Sequence, residues 1–314
     1  MIAREEFERY LSTLVSEEEK EGFKKQAKTN SIVARIMFIL ASVFGGIGIV
    51  LIFVPLGMMI APMMLFFALV FVITGVLFLV FKNHGAYKEL ENKHKEDVIA
   101  FLMKGMEYSY DRSDYIPESV YRKAQLSRNY DTYTGEDLIG INIANDDGSR
   151  SETDLIISDI KTTKTETDNE GKSHTVTKYS GVLGYVEFPS EFKCRMTINR
   201  GSYALLQGLD KVKLESIEFN KKFSVRCTDQ IEARYILTTD MMTKLLAIYE
   251  KESNFQMVLD GKNLFITIPG KNLFRVKAKS ENVDGGIFYL FYEDVSLLLS
   301  IVNEIKKNNK VFKI

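Results

Sequence analysis

The run from Ile36 to Phe81 reads IMFILASVFGGIGIVLIFVPLGMMIAPMMLFFALVFVITGVLFLVF and holds no Asp, Glu, Lys, Arg or His. At about 46 residues, a single helix would be roughly 69 Å long. That is more than twice the ~30 Å hydrocarbon thickness of a bilayer. The run must therefore fold back, and its middle supplies the means in Pro55, Gly57 and Pro62, which break a helix and favour a tight turn. The reading is a transmembrane helical hairpin over residues 32–81, with helices at about 32–54 and 62–81 and a membrane anchor turn at Pro55, Gly57 and Pro62. Helices are required because lipid offers the backbone no hydrogen-bond partner. A cleaved secretory signal is not expected, because the apolar run lies behind a long charged segment and is too long for a signal core.

Lysines set the orientation. Lys20, Lys24, Lys25 and Lys28 precede the first helix, Lys82, Lys88, Lys93 and Lys95 follow the second, and the connecting turn is uncharged. Both termini should face the cytoplasm in a multi-pass protein of the cell inner membrane. Arg35 should snorkel to the headgroups. The small pairs Ala41 with Gly45 and Ser42 with Gly46 let helix backbones approach closely, which leaves open whether the partner is the second helix or another copy in a homo-oligomer. Gly46-x-Gly48 is not read as a dinucleotide motif, because it lies inside a spanning helix.

The flanks read as helices. Residues 1–31 form a cytosolic amphipathic helix with Phe7, Tyr10, Leu11 and Leu14 at helical spacing, Glu17–Glu19 being a solvated face. Residues 82–107 form a juxtamembrane helix with Leu90, Val98, Phe101 and Leu102 apolar, and the two polar helices should pair antiparallel. His84 and His94 are ten apart, so they form no helical metal pair.

Residues 108–314 read as a cytosolic β-rich domain. It opens with Tyr108, Tyr110, Tyr115, Tyr121, Tyr130 and Tyr133, expected to pack on the domain surface or, as the alternative, to lie near lipid headgroups, where tyrosine is favoured. Strands are expected at 138–143, 153–165, 175–188, 194–198, 212–216, 223–227, 233–237, 255–258 and 264–268, and near 274–278. Asp168–Gly171 should make a hairpin turn, and Gly181 and Gly184 should mark bulges. Helices are expected at 240–251 and 293–307. The class is α+β, an antiparallel domain with one internal and one C-terminal helix, and a sheet or small barrel closed by that helix, as in pleckstrin-homology domains, is one arrangement. Gly-Lys-Asn-Leu-Phe occurs at 261–265 and 270–274 and reads as two similar turn-to-strand entries.

Formal net charge is −1, and acids and bases also balance after Asp111, so no nucleic-acid partner is implied. Two cysteines, Cys194 and Cys227, suit a reducing compartment and read as two partly buried thiols, the alternative being that they meet in space. Gly171-Lys172-Ser173 resembles the end of a phosphate loop, but Glu166 stands where that loop needs glycine. His174 has no triad partners in sequence. No catalytic, cofactor or metal residue is assigned. The densest polar cluster is Asp229, Glu232 and Arg234, beside Tyr235. It either fixes a turn between strands as a buried charge network or forms a binding site.

Phe219-Asn-Lys-Lys-Phe223, Val225, Asp229, Glu232–Thr238, Met241-Met242 and Leu245-Leu246 resemble the signature of a bacterial membrane-protein family known as domain of unknown function 3137. Tyr115-Ile116-Pro117 and Tyr133-x-Gly135-Glu136-Asp137-Leu138 resemble its upstream elements, and Cys227 stands where a small polar residue is expected. The resemblance implies an N-terminal pair of membrane helices and a LemA-type membrane-protein partner, and it supplies no activity. The expected function is a membrane-anchored cytosolic binding or scaffold protein. The alternatives are an enzyme with a site near Asp229, Glu232 and Arg234, or a transporter or channel subunit, against which the charge-free spans argue.

Overall fold

The computed structural model describes residues 2–54, 59–80, 84–125, 129–145, 147–200, 208–251, 254–270, 272–274 and 286–311. The chain divides into two compact units. One comprises Ala3–Phe101 with Val276–Tyr289, and the other comprises Met1–Ile2, Leu102–Arg275 and Leu290–Ile314.

The first unit is helical: α1 (Arg4–Leu14), α2 (Glu17–Ile52), α3 (Ala61–Val80) and α4 (His84–Leu102). The single amphipathic helix expected before the membrane is broken at Val15, which has extended φ/ψ. The cause is local. Ser16 accepts a hydrogen bond from Glu19 N, and the Glu19 carboxylate accepts from Ser16 N, a reciprocal box that starts a new helix. The three glutamates expected as a solvated face are therefore the first turn of α2, where acids oppose the positive end of the helix dipole. The first long helix begins at Glu17 rather than near residue 32. Tyr10 stacks on Phe101 with ring centroids 3.8 Å apart, and Glu19 pairs with Lys93. As residue number rises on one side it falls on the other, the antiparallel pairing expected of the flanking segments.

α2 and α3 are each long and apolar enough to cross a membrane. They pack through glycine. A Cβ on Gly45 would meet Ala68 at 3.7 Å, and one on Gly75 would press on Phe38 and Met37 at 3.2 and 3.3 Å. Phe44 meets Phe71 edge-on at 5.3 Å. The close approach inferred for Gly45 is thus made within the hairpin, while a Cβ on Gly46 would meet nothing within 4 Å. Pro62 lies in the first turn of α3, where a missing N–H costs nothing. Pro55 and Gly57 lie outside the described residues.

The second unit continues with β1 (Tyr108–Asp111), α5 (Glu118–Ala124), β2 (Thr132–Asn142), β3 (Asp154–Thr167), β4 (Ser173–Glu187), β5 (Met196–Asn199), β6 (Asp210–Val212), α6 (Ile217–Lys222), β7 (Ser224–Cys227), α7 (Gln230–Ile236), α8 (Thr239–Lys251), β8 (Gln256–Asp260), β9 (Asn263–Pro269) and α9 (Gly286–Val311). The strands form one nine-stranded sheet, β1-β2-β3-β4-β9-β8-β5-β7-β6. Every pairing is antiparallel. The sheet is open at β1 and β6 among the described residues, so it does not close as the small barrel of the pleckstrin-homology comparison. The α+β class holds, with helices before, within and after the sheet.

Four internal helices replace the single one expected, and α7 stands where a strand was expected at 233–237. Asp229 is the reason, since its carboxylate accepts from Ile231 N at 2.8 Å and Glu232 N at 3.2 Å, a cap that commits the next residues to helix. Ala233 and Ile236 then fall on the buried side. α9 begins seven residues before the expected start. The strand expected near 274–278 lies outside the described residues apart from Phe274.

β3 and β4 form a long hairpin whose turn is held by the Asp168 carboxylate, which accepts from Glu170 N and Lys172 N, both at 2.9 Å. Its bulge falls at Lys178, between Thr177 opposite Thr163 and Tyr179 opposite Thr162. Gly181 and Gly184 are in register instead. Gly181 is needed for space, since a Cβ there would sit 2.4 Å from the Ile268 carbonyl on β9. β9 and β5 are buried on both faces, which is why Leu264–Ile268 reads as a nearly unbroken apolar run.

Candidate functional site

Four features of the described residues were candidates for function: the apolar surface of the hairpin, the polar clasp at its base, the cluster around Asp229, and a groove in the sheet unit.

The hairpin surface is built from the absence of anything polar. Ile39 is 63% exposed, Val50 64% and Phe66 60%, and Ile and Val side chains face outward along most of both helices. In water such a surface would be costly at ~25 cal/mol per Å2. Among the described residues from Ile36 to Val80, Ser42 and Thr74 donate back to their own helix, Ser42 to Phe38 O at 2.9 Å and Thr74 to Val70 O at 2.8 Å. Burial of that kind suits hydrocarbon.

The clasp joins α2 to α4. Glu19 accepts from Ser16 N and Ser16 Oγ at 2.9 and 3.0 Å and pairs with Lys93. The Lys93 ammonium, aided by the Ser16 N–H, pulls the Glu19 carboxyl down to about 2. Buried His94 places Nε2 3.5 Å from Glu19 Oε1, too far for a hydrogen bond. Glu91 and Lys95 pair one turn apart at 2.8 Å, with Lys95 almost wholly buried. A cavity of about 340 Å3 beside the clasp is lined by Glu19, Gly22, Gln26, Glu89, Leu90 and Lys93.

The Asp229 cluster does not form the buried network its sequence suggested. Asp229 and Arg234 are exposed and Glu232 is half-buried. The Asp229 carboxylate is spent on capping α7. Arg234 donates to Gln230 O at 2.8 Å and to Lys213 O at 3.3 Å, both backbone carbonyls. Tyr235 is 52% exposed. Among the described residues no ion pair joins Asp229, Glu232 and Arg234, and the three do not converge on a cavity. The rest of the family-like signature is also architecture. The Phe219 and Phe223 rings meet at 4.9 Å in the core. The Asn220 amide donates to Leu214 O and Ser216 O while its oxygen accepts from Leu214 N, stitching α6 to the chain before it.

The upstream elements are explained the same way. Two residues of β2, Asp137 and Leu138, stand opposite Ser158 alone. Asp137 takes φ +62° there, a conformation Asp tolerates better than most. Its carboxylate accepts from the Tyr110 hydroxyl at 2.7 Å. Gly135 leaves room for Tyr115, whose Cβ would lie 2.7 Å from a side chain at 135. Tyr133 donates to Ile116 O at 2.5 Å. Of the tyrosines expected on the surface, Tyr108 is exposed and Tyr110 partly buried, whereas Tyr121 lies in a core against which Tyr115, Tyr130 and Tyr133 pack. Tyr121 is fully buried among Tyr130, Tyr133 and Tyr179, with centroids 5.2–5.7 Å apart. Burial pushes the Tyr121 phenol up to about 12 and raises those of Tyr133 and Tyr179 further. Sequence reasoning missed this core because tyrosine serves surfaces and interiors alike.

The groove, of about 530 Å3, runs between the end of β2, the 143–150 loop and α9. Its walls include Asn142, Arg150, Ser296, Ser300 and Asn303. Lys306 donates to Ile143 O and Ala144 O, two of the lining residues, at 2.5 and 3.1 Å. Arg150 pairs with Glu107. Asn142 is held by Ser151 O at 3.0 Å and Asp154 Oδ1 at 2.7 Å. Such walls offer neutral hydrogen-bonding groups and charges already partnered, which suits binding of a polar segment more than holding a metal. Among the described residues no cluster of three or more His, Cys, Asp or Glu could hold a metal ion.

An apolar helical hairpin followed by an open antiparallel sheet with helices places the chain in a class of α+β proteins bearing two helices fit to cross a membrane. The model of the family described as Protein of unknown function (DUF3137) matches residues 177–307, and over that stretch the chain is similar to the family. That is the family the signature resembles. No curated protein matches the chain. The crystal structure of the mycobacterial trehalose monomycolate transport factor A, TtfA, is similar at TM-score 0.34 and 8% identity, over 66% of this chain and 93% of that one. A likeness that distant carries neither fold nor function across.

Proposed function

We propose that the chain is a membrane-anchored binding module of the bacterial inner membrane. In this reading the hairpin, residues 32–81, crosses the bilayer twice. Residues 1–31 and 82–107 stand at its cytoplasmic side, and residues 108–314 form a cytosolic domain that recruits a partner. The observation that carries it is the outward-facing apolar surface of α2 and α3, which water would not tolerate. Lysines at both outer ends and none in the turn support two cytoplasmic termini. The groove between β2 and α9 supports binding, and a LemA-type membrane protein is the partner the family resemblance suggests. Two copies of the chain could also meet through the face of α2 that carries Gly46.

Extraction of native membranes tests the anchor. The full-length chain should stay in the pellet through high salt and alkaline carbonate and leave only with detergent. Release by carbonate would overturn the anchor, and a terminal reporter active outside the cell would overturn the orientation. Binding is tested by crosslinking in membranes followed by affinity capture, with Asn303→Arg placed to fill the groove. A partner lost on that substitution supports the groove, and a partner unaffected by it removes the groove from the proposal.

A further inference from the structure

The groove between β2 and α9 opens where one hydrogen-bond ladder comes apart. Tyr108 on β1 stands opposite Ile141 on β2, and one step further Asn142 N donates to Glu107 O at 2.9 Å. There the ladder stops, because Met106 N turns back to Met103 O at 2.8 Å and takes the chain before β1 away from β2. On its other side the chain of β2 stays tied, with Ile143 N donating to Thr153 O at 2.9 Å. Among the described residues no strand pairs with the outer edge past Asn142, and α9 supplies the facing wall of the groove.

The backbone groups along that edge are unevenly satisfied. Asn142 N faces Glu107 and Ile143 N faces Thr153, so strand alternation returns the Ala144 N–H to the side that β1 has left. Asn145 N is closed off in a turn by Ser149 O at 2.8 Å. Ala144 is exposed, and its N–H has no hydrogen-bond partner among the described residues. Across the groove Asn303 is exposed on α9, and its amide has no partner among the described residues either. The nearby charges are occupied: Arg150 pairs with Glu107, and carbonyls hold the Lys306 ammonium. Met106 and Leu299 add apolar wall.

We propose that the groove takes an extended polypeptide segment of a partner protein, read through its backbone, which adds to the free end of β2. This rests on the binding reading and names the class of ligand. A segment lying against Ala144 accepts from its N–H with a peptide carbonyl. The Asn303 amide donates to one peptide carbonyl and accepts from one peptide N–H, a pairing that no charged side chain can make. Main-chain pairing at a strand edge supplies affinity, and the walls beside it choose side chains. From Ser296 to Asn303 the α9 wall is ~10 Å long, room for about three extended residues at ~3.3 Å each. With the nearby charges already paired, the segment carries small polar or apolar side chains rather than an acidic or basic motif. Its binding therefore changes little with salt.

The test uses the full-length protein in lipid nanodiscs. A random peptide library displayed on phage is panned against it after depletion on empty nanodiscs, and an enriched peptide is synthesised. That peptide is expected to be uncharged at its core. It should slow hydrogen exchange over residues 142–145, where Ala144 holds the open backbone N–H, by about tenfold or more. N-methylation of one of its amides should abolish binding. Asn303→Ala, which keeps α9 helical, should weaken binding by about tenfold. No peptide enriched over empty nanodiscs, unchanged exchange over 142–145, tolerance of N-methylation at every position, or an affinity that falls steeply with salt would each overturn the proposal. The binding reading beneath it fails by a different result, a partner crosslinked in membranes that Asn303→Arg leaves in place.

Discussion

Asp229 shows how one side chain can read as chemistry and act as a cap. Its two hydrogen bonds to the first N–H groups of α7 satisfy donors that would otherwise face solvent alone. Asp229→Ala is expected to lower stability by about 1 kcal/mol, measured by urea unfolding of the detergent-solubilised protein. Asp229→Asn should recover most of that loss, because the amide oxygen can also cap. A catalytic carboxylate would show no such rescue. The residues of this cluster were legible in the sequence, but their roles were not. Asp, Glu and Arg within six positions fit a charge network or a helix start equally well until the backbone path is known. Ser16 and Glu19 were a clearer signal that went unused. Ser-x-x-Glu ahead of an apolar run is the sequence mark of a helix start, and it was hidden because helical periodicity continues on both sides of the break.

At the scale of elements, the hairpin and its base make separate predictions. Gly75→Val should drive its methyls into Phe38 and Met37 and loosen α2 from α3. Gly46→Ala meets open space and should stabilise α2 by up to about 1 kcal/mol. Heating in detergent followed by size-exclusion chromatography should show Gly75→Val aggregating at a lower temperature than wild type and Gly46→Ala no earlier. The clasp predicts an acid transition. The Glu19 carboxyl titrates at about 2 in the folded protein, below its usual value of 4.5, because of Lys93 first and Ser16 next. A depressed acid stabilises the fold above its unfolded value, and that contribution is lost as pH falls from about 4.5 towards about 2. The melting temperature of wild type should therefore drop across that window, and Glu19→Gln should be lower at neutral pH and flatter below it. A Glu19→Gln curve parallel to wild type would remove Glu19 from the acid response. That two long apolar helices exist here was readable from composition alone, whereas their glycine contacts depended on how the helices turn toward each other.

For the whole molecule, the buried tyrosines predict the alkaline limit of the sheet unit. Burial raises the Tyr121 and Tyr185 phenols to about 12. Each raised phenol stabilises the fold below its unfolded value of about 10, and that stabilisation is lost as pH rises from about 10 towards about 12. The tyrosinate absorbance that Tyr121→Phe removes should therefore appear together with unfolding in that range. Tyr121→Phe should shift the transition to higher pH. It should cost no more than about 1 kcal/mol at neutral pH, because the Tyr121 hydroxyl and its neighbour Thr162 Oγ1 are buried without a well-formed hydrogen bond. Tyr121→Ala should cost ~3–5 kcal/mol. If the part of the tyrosinate signal that Tyr121→Phe removes appeared well below unfolding, the cluster would be open to water.

The sequence by itself determined the apolar hairpin, the α+β class and most strands, because these follow from local properties: charge-free length, alternation and turn residues. Tertiary structure alone decided that Tyr121 is buried among Tyr130, Tyr133 and Tyr179, that Asp229 starts a helix, and that Gly45 and Gly75 face within the hairpin. Each of those depends on which distant segment lies opposite, and strand order in an antiparallel sheet with crossovers is set by packing over the whole domain, which no window of neighbouring residues contains.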